Sequence, residues 1–377
     1  MGRNSLHIKC LFLLTYLLVN QSADADLIAN NVCTQPGINA EFLECAALVN
    51  LYNITDGDNW TDNSNWGNAD INSWYGVSAF GASTLNVWFL ELGNNNLDGI
   101  IPSTLRELTA LRWLDLSHND LFSFIPSEFS ELTELEVLLG DNFLDGSYPS
   151  SFTALSQLRI IQLQNNNLTG NIMPHLVGLN NLTDLWIDNN SFIEVLPTTI
   201  NQISALEYFS AMNVGFMGAI PNQLIELENL EHLFLSNNNL TGRIPECLGQ
   251  MSALKQIDLS NNQLYGRLPI SMGELVEFNF ISLNNNQLSG PIPESWGQMT
   301  LLQGFYLNSN RLTGMVPIGF GNMSEMNQFY LQGNSFSGNV IPAEIMTWYD
   351  LIPNRNIVPQ VPSDEIFYAD FGQACDV

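Results

Sequence analysis

The sequence predicts an α/β solenoid, in which short strands and turns recur in stacked coils. Three observations predict it. Asparagine recurs at Asn95, Asn119, Asn142, Asn166, Asn190, Asn238, Asn262, Asn286, Asn310 and Asn334, with Val214 in the one remaining slot; every step is 24 residues except one of 23. Around each slot runs one phrase, seen cleanly as Leu230-x-x-Leu233-x-Leu235-x-x-Asn238-x-Leu240-x-Gly242-x-Ile244-Pro245. Eleven of the sixteen prolines, from Pro102 to Pro342, share one place in that phrase. A fixed period of this length means coils that cannot fold singly and gain their core by stacking.

Each part of the phrase has a physical task. Leu230, Leu233 and Leu235 belong to a short strand and its approach and point inward, while the residues between them face out. The asparagine amide carries both donors and an acceptor, so it can satisfy turn backbone that stacking would otherwise bury unpaired. Val214 cannot do this, which makes the sixth coil the expected weak point. Gly-x-Ile-Pro shapes the return path, through glycine's access to left-handed angles and proline's fixed φ. Ser123 and Glu194 replace that glycine, and Pro174 and Pro342 come one residue late, which predicts small bulges.

This phrase, LxxLxLxxNxLxGxIP, resembles the plant-type leucine-rich repeat over eleven consecutive coils, about Val87 to Pro342. The resemblance implies a curved right-handed superhelix with a parallel sheet on the concave face. Short second strands and 3₁₀ turns are then expected on the other faces.

The ends read differently. Residues 1–25 fit a secretory signal peptide, with Arg3 and Lys9, an apolar run from Leu11 to Val19, and Ala23-Asp24-Ala25 as a cleavage site. That run is too short for a normal membrane span, so a secreted, extracellular protein is expected, with cell-wall or surface attachment left open. Residues 26–86 are expected to be an N-terminal cap, 87–342 the repeats, and 343–377 a C-terminal cap with an acidic tail in which Pro353, Pro359 and Pro362 break regular structure. The cap string through Trp60, Trp66 and Trp74-Tyr75-Gly76-Val77 resembles plant and algal or protist members. Such caps usually have cysteines flanking Trp-x-Gly-Val; here Asn72 and Ala79 stand there, and Cys33 and Cys45 are expected to bond instead. The three tryptophans are expected to plug the end of the core. Cys247 is expected to be a half-buried free thiol, since pairing with Cys375 requires the tail to fold back.

Charge narrows the partners. The formal net charge is −28, with Lys9 and Lys255 the only lysines, which opposes nucleic acid, anionic lipid and polyanionic polysaccharide. Sequons at Asn53, Asn59, Asn167, Asn181, Asn189, Asn239 and Asn322 are candidate glycosylation sites.

The outward strand positions form two columns. One runs Phe89, Trp113, Glu136, Ile160, Asp184, Tyr208, His232, Gln256, Phe280, Gly304 and Gln328. The other runs Glu91, Asp115, Leu138, Gln162, Trp186, Ser210, Phe234, Asp258, Ser282, Tyr306 and Tyr330, with the 23-residue coil leaving its pair uncertain by one place. A solvated face needs no such aromatics. Either they form a binding surface, as Trp and Tyr favour, or they cover one another and stiffen the sheet. The candidate ligand-binding residues are Phe89, Trp113, Asp115, Asp184, Trp186, Tyr208, His232, Phe234, Asp258, Phe280, Tyr306 and Tyr330. Asp115, Asp184, Glu207, Glu231 and Asp258 suit a partner with basic or polyhydroxyl groups.

These features, with the resemblance, imply a non-catalytic extracellular module binding a protein or peptide on the concave face, with a membrane co-receptor if it signals. The alternatives are a secreted glycan-binding or hydrolase-inhibitor protein and, third, ice binding. No nucleophile elbow, phosphate loop, metal-binding helix or zinc spacing occurs, so neither catalysis nor a cofactor is expected.

Overall fold

The computed structural model describes residues 32–82, 84–192, 195–338 and 340–358. The expected signal peptide and acidic tail lie outside them. The described residues form two compact units, one running up to Asp145 and including Pro149–Leu155, the other made of Gly146–Tyr148 and the described residues from Ser156.

The first unit begins with helix α1, Phe42–Ile54, whose Cys45 is disulfide-bonded to Cys33 as expected. Strand Val77–Phe80 then pairs antiparallel with Asn86–Glu91, and from there pairing is parallel, to Trp113–Asp115 and Glu136–Leu138. The register Phe89–Trp113–Glu136 resolves the short coil: the missing residue does not displace the columns. Trp60 and Trp74 are buried, and both indole N–H groups donate to backbone carbonyls, of Thr55 and Asn68. At the two places where related caps have cysteines, Ala79 N donates to Asn72 Oδ1 at 2.7 Å, so a hydrogen bond joins them.

α1 also carries a buried carboxyl. Glu44 is 3 % exposed and accepts from Val87 N at 2.9 Å. Burial raises its pKa from 4.5 to about 7, against the opposing hydrogen bond and with a further push from Glu41. Because the folded value lies above the unfolded one, the stability this group contributes is complete below about pH 4.5 and is lost as pH rises through about 7. Glu44→Gln keeps an acceptor for Val87 without the charge. It is expected to stabilise the cap at pH 8 by roughly 2–3 kcal/mol relative to wild type, with no gain at pH 4; thermal melts at the two pH values measure it.

The second unit contains nine parallel strands, from Ile160–Gln162 through Asp184–Trp186, Tyr208–Ser210, His232–Phe234, Gln256–Asp258, Phe280–Ser282, Gly304–Tyr306 and Gln328–Tyr330 to Asn354–Asn356. Their register is constant, with Asp184, Tyr208, His232, Gln256, Phe280, Gly304, Gln328 and Asn354 side by side. The last strand departs from expectation. Pro353 breaks structure only between helix α2, Met346–Leu351, and Asn354–Asn356, which then extends the sheet. Short second strands such as Asn239–Thr241 and 3₁₀ turns such as Glu246–Gln250 complete the coils, each turn commonly capped by the repeat's proline. At Pro174 the late proline falls inside the shortened turn Met173–His175.

The core follows the phrase: Leu230, Leu233, Leu235 and Leu240 are fully buried. The asparagine ladder is explicit at Asn262. Its Nδ2 donates to the carbonyls of Leu235, Leu259 and Ser260 at 3.0, 3.1 and 3.2 Å, and its Oδ1 accepts from Leu240 N at 3.0 Å. Val214 interrupts the series with a buried apolar side chain, although Asn238 still accepts from the N–H groups of Val214, Gly215 and Phe216. Beside each ladder residue lies a second polar row. Asn165, Asn189, Asn213, Asn237, Asn261 and Asn285 all have left-handed φ, between 52° and 58°, a region asparagine tolerates better than most residues.

Candidate functional site

The outward columns stand as the sequence places them, and all twelve candidate binding residues are half-exposed. The structure brings seven of them into two ring groups of the second unit. In the first, Trp186 and Tyr208 stack with centroids 4.2 Å apart and planes at 8°; Tyr208 meets Phe234 at 5.5 Å and His232 at 5.3 Å. In the second, Tyr306 and Tyr330 stack at 5.1 Å and 13°, and Phe280 lies 5.7 Å from Tyr306. Gly304 has its place for a steric reason: a Cβ there would come within 2.7 Å of the Phe280 ring.

Ring orientation decides what the surface can offer. Each stacked ring uses a face on its neighbour, so edges carry much of the exposed contact. The rings cover one another and remain half-exposed. Trp186 Nε1 and His232 Nδ1 are covered and have no hydrogen-bond partner among the described residues.

Carboxylates rim the first group. Asp184 accepts from Thr183 Oγ1 at 2.7 Å, and Glu231 holds Lys255 at 2.6 Å with His232 Nε2 at 3.9 Å. Asp188 is buried at 6 % and accepts from Ser210 Oγ and Met212 N, both at 2.6 Å. Burial raises its pKa despite those bonds. Tyr208 is pushed up to about 12, first by burial and then by Asp188 and Asp184, and stays a neutral phenol.

Two candidate acids have local duties that spacing alone does not reveal. Asp115 accepts from Ser117 N and Oγ at 2.9 and 2.6 Å, and Asp258 accepts from Ser260 N at 2.9 Å. Each caps the turn leaving its strand, and the aspartate–x–serine spacing was the available signal. The first unit places Phe89 opposite Trp113 in register, and also half-exposes Trp88, on which Arg112 lies 4.5 Å from the ring centroid. Trp88 and Arg112 precede the outward columns and were not among the candidates.

The candidate glycosylation sites differ in access. Asn167, Asn239 and Asn322 are exposed. Asn189 is committed to the polar row, donating to Asn165 Oδ1 at 2.6 Å, whereas the Asn53 amide nitrogen is covered. The free-thiol expectation for Cys247 is corrected: its sulfur is disulfide-bonded, at a half-exposed turn position where another cysteine can reach it. Cys375 lies outside the described residues. No group of three His, Cys, Asp or Glu among the described residues is placed to hold a metal, and none of their helices is long and apolar enough to cross a membrane.

Comparison with known proteins agrees with this architecture. Leucine-rich repeat family models match residues 86–139, 218–264 and 278–299. Among curated proteins none matches the chain. Among solved structures, a plant peptide hormone receptor, RGFR1 in complex with RGF2, is 32 % identical, with a TM-score of 0.63 over 64 % of this chain and 39 % of that one. The Arabidopsis receptor kinase HAESA, solved with the peptide hormone IDA and the co-receptor SERK1, is 27 % identical, with a TM-score of 0.63 over 77 % of this chain and 58 % of that one. A plant ice-binding protein reaches a TM-score of 0.67 over 81 % of this chain and 98 % of its own, at 24 % identity, a likeness of fold alone. The chain thus spans between 39 % and 58 % of the length of the two receptor structures. The repeat phrase, the constant strand register and these matches identify the chain as a plant-type leucine-rich repeat protein.

Proposed function

We propose that the protein is an extracellular, non-catalytic recognition module that binds an extended peptide bearing basic side chains across the strands from Asp184 to Asp258. The observation that carries this reading is the half-exposed ring group of Trp186, Tyr208, His232 and Phe234 beside the carboxylates of Asp184, Glu231 and Asp258. Apolar edges contribute desolvation and the carboxylates select charge. The peptide complexes among the solved relatives support the ligand class and a co-receptor as second partner. The stacked faces weigh against a glycan, which would lie flat on an open ring. The leader-like residues 1–25 support export.

A displayed peptide library selected on the full-length protein tests the reading. Basic peptides are expected to emerge, and Asp184→Asn with Asp258→Asn is expected to weaken them about tenfold at low salt, less at high salt. Selection of acidic or uncharged peptides, or no effect of the two substitutions, contradicts it. The row of left-handed asparagines supports a second reading, adsorption to ice. Its amides repeat once per coil, with Asn213 donating to Asn189 at 3.0 Å and Asn285 to Asn261 at 2.7 Å; thermal hysteresis of the intact protein decides that question.

A further inference from the structure

The outward column that contains Trp186 changes size abruptly. Trp186, Ser210 and Phe234 stand side by side in register, so a single hydroxyl-bearing carbon separates two large rings. Ser210 is nevertheless only 1 % exposed. What covers it is the ring of Tyr208, which comes from the neighbouring column. Tyr208 lies 4.2 Å from Trp186 with planes at 8°, and 5.5 Å from Phe234. Together these separations match the two strand spacings, about 10 Å, between the strands of Trp186 and Phe234. Tyr208 is thus a plug one ring thick, in a slot walled by Trp186 and Phe234 and floored by Ser210.

Beneath the plug lies a carboxyl that the rim residues do not explain. Asp188 is 6 % exposed, and Ser210 Oγ and Met212 N both donate to its Oδ1 at 2.6 Å. That arrangement leaves Oδ2 as the oxygen a cation can take. Among the described residues no lysine, arginine or histidine lies within ion-pair distance of Asp188, although buried carboxylates are ordinarily paired. After burial itself, Asp188 is the larger of the two carboxylates that raise the Tyr208 pKa, which puts its charge beside the plug. Two further polar atoms of the ring group, Trp186 Nε1 and His232 Nδ1, are covered and without a partner among the described residues. Folded proteins seldom leave buried polar atoms so, and each one calls for an explanation.

We propose that this slot is an arginine subsite: the guanidinium of a ligand arginine takes the place of Tyr208 between Trp186 and Phe234 and pairs with Asp188 at the floor. A guanidinium is planar, stacks on aromatic faces and pairs with a carboxylate at the same time; the compact, strongly hydrated ammonium of lysine does not combine these. Tyr208 gives up its stack and turns to solvent. The charge-assisted hydrogen bonds gained by a desolvated carboxylate offset that loss. The same movement frees Trp186 Nε1 to donate to the ligand. The inference rests on the peptide site proposed above and gives it an anchor, with Asp184, Glu231 and Asp258 at the rim steering charge from farther out.

The probes are acetyl-arginine methylamide and its uncharged isostere, acetyl-citrulline methylamide. Each is titrated into the full-length protein and read on the Trp186 indole N–H resonance, assigned with Trp186→Phe. Tyr208→Ala, which opens the slot, is expected to bind the arginine probe at least fivefold more tightly than wild type does. It is also expected to prefer that probe to the citrulline probe at least tenfold. Adding Asp188→Asn, whose amide oxygen still accepts from Ser210 and Met212, is expected to abolish the preference. Equal affinity for the two probes in Tyr208→Ala overturns the subsite, as does a preference that survives Asp188→Asn. Circular dichroism checks the repeats, and Tyr208→Thr, a better strand former, replaces the alanine variant if they are disturbed. The displayed library judges the peptide site separately: basic peptides whose affinity ignores Asp188→Asn leave that site standing and overturn the subsite alone.

Discussion

Asn262→Ala is expected to destabilise the second unit by about 3–5 kcal/mol. The side chain closes four backbone contacts in two adjacent coils, and its removal leaves Leu240 N and the carbonyls of Leu235 and Leu259 inside the stack without that amide. A buried polar group left unpaired costs about 1–3 kcal/mol, and the alanine is too small to fill the gap. The control is next door. Asn261 is exposed, its Oδ1 accepts from Asn285 and its Nδ2 donates to Ser260 Oγ at 3.3 Å, and its φ is left-handed, so Asn261→Gly, which keeps that backbone angle accessible, is expected to cost under about 1 kcal/mol. Urea titration of both variants measures the difference; equal midpoints would show that the ladder carries no special stability. Val214→Asn is the converse, expected to gain roughly 1 kcal/mol by supplying the missing amide.

Trp186→Ala combined with Phe234→Ala is expected to weaken binding of the selected peptide by about 100-fold or more, with secondary structure unchanged. Both rings project from strand positions whose inward neighbours, Leu185 and Leu233, stay fully buried, so the core is untouched. Aromatic anchors at the centre of an interface each contribute about 2 kcal/mol or more. Isothermal titration with the peptide and a circular dichroism spectrum separate binding from folding. Unchanged affinity on an intact fold would remove the aromatic group from the site.

What the sequence made legible is what repeats. Leu233 and Asn262 declare inward positions because eleven coils state the same rule, and the two outward columns follow by alternation. The row at Asn189 and Asn237 is hidden in the sequence because each stands beside a ladder asparagine of the same type, although one of each pair is buried and the other has a left-handed φ. The capping by Asp115 and Asp258 was hidden by the exposure of their neighbours in the columns. Ring orientation was not legible either: the 8° between Trp186 and Tyr208 depends on how two coils pack. The strand Asn354–Asn356 lies beyond the last period, where no pattern announces it.

The unchanging register makes ligand length a matter of counting. His232 and Phe280 stand in one column two strand spacings apart, about 10 Å, close to the length of three residues of extended chain. A peptide that engages both ring groups therefore needs apolar anchors three residues apart with polar residues between, over Gln256 and Asp258. Excising residues 256–279 would set His232 against Phe280 in unbroken pairing, and the preferred anchors would move together.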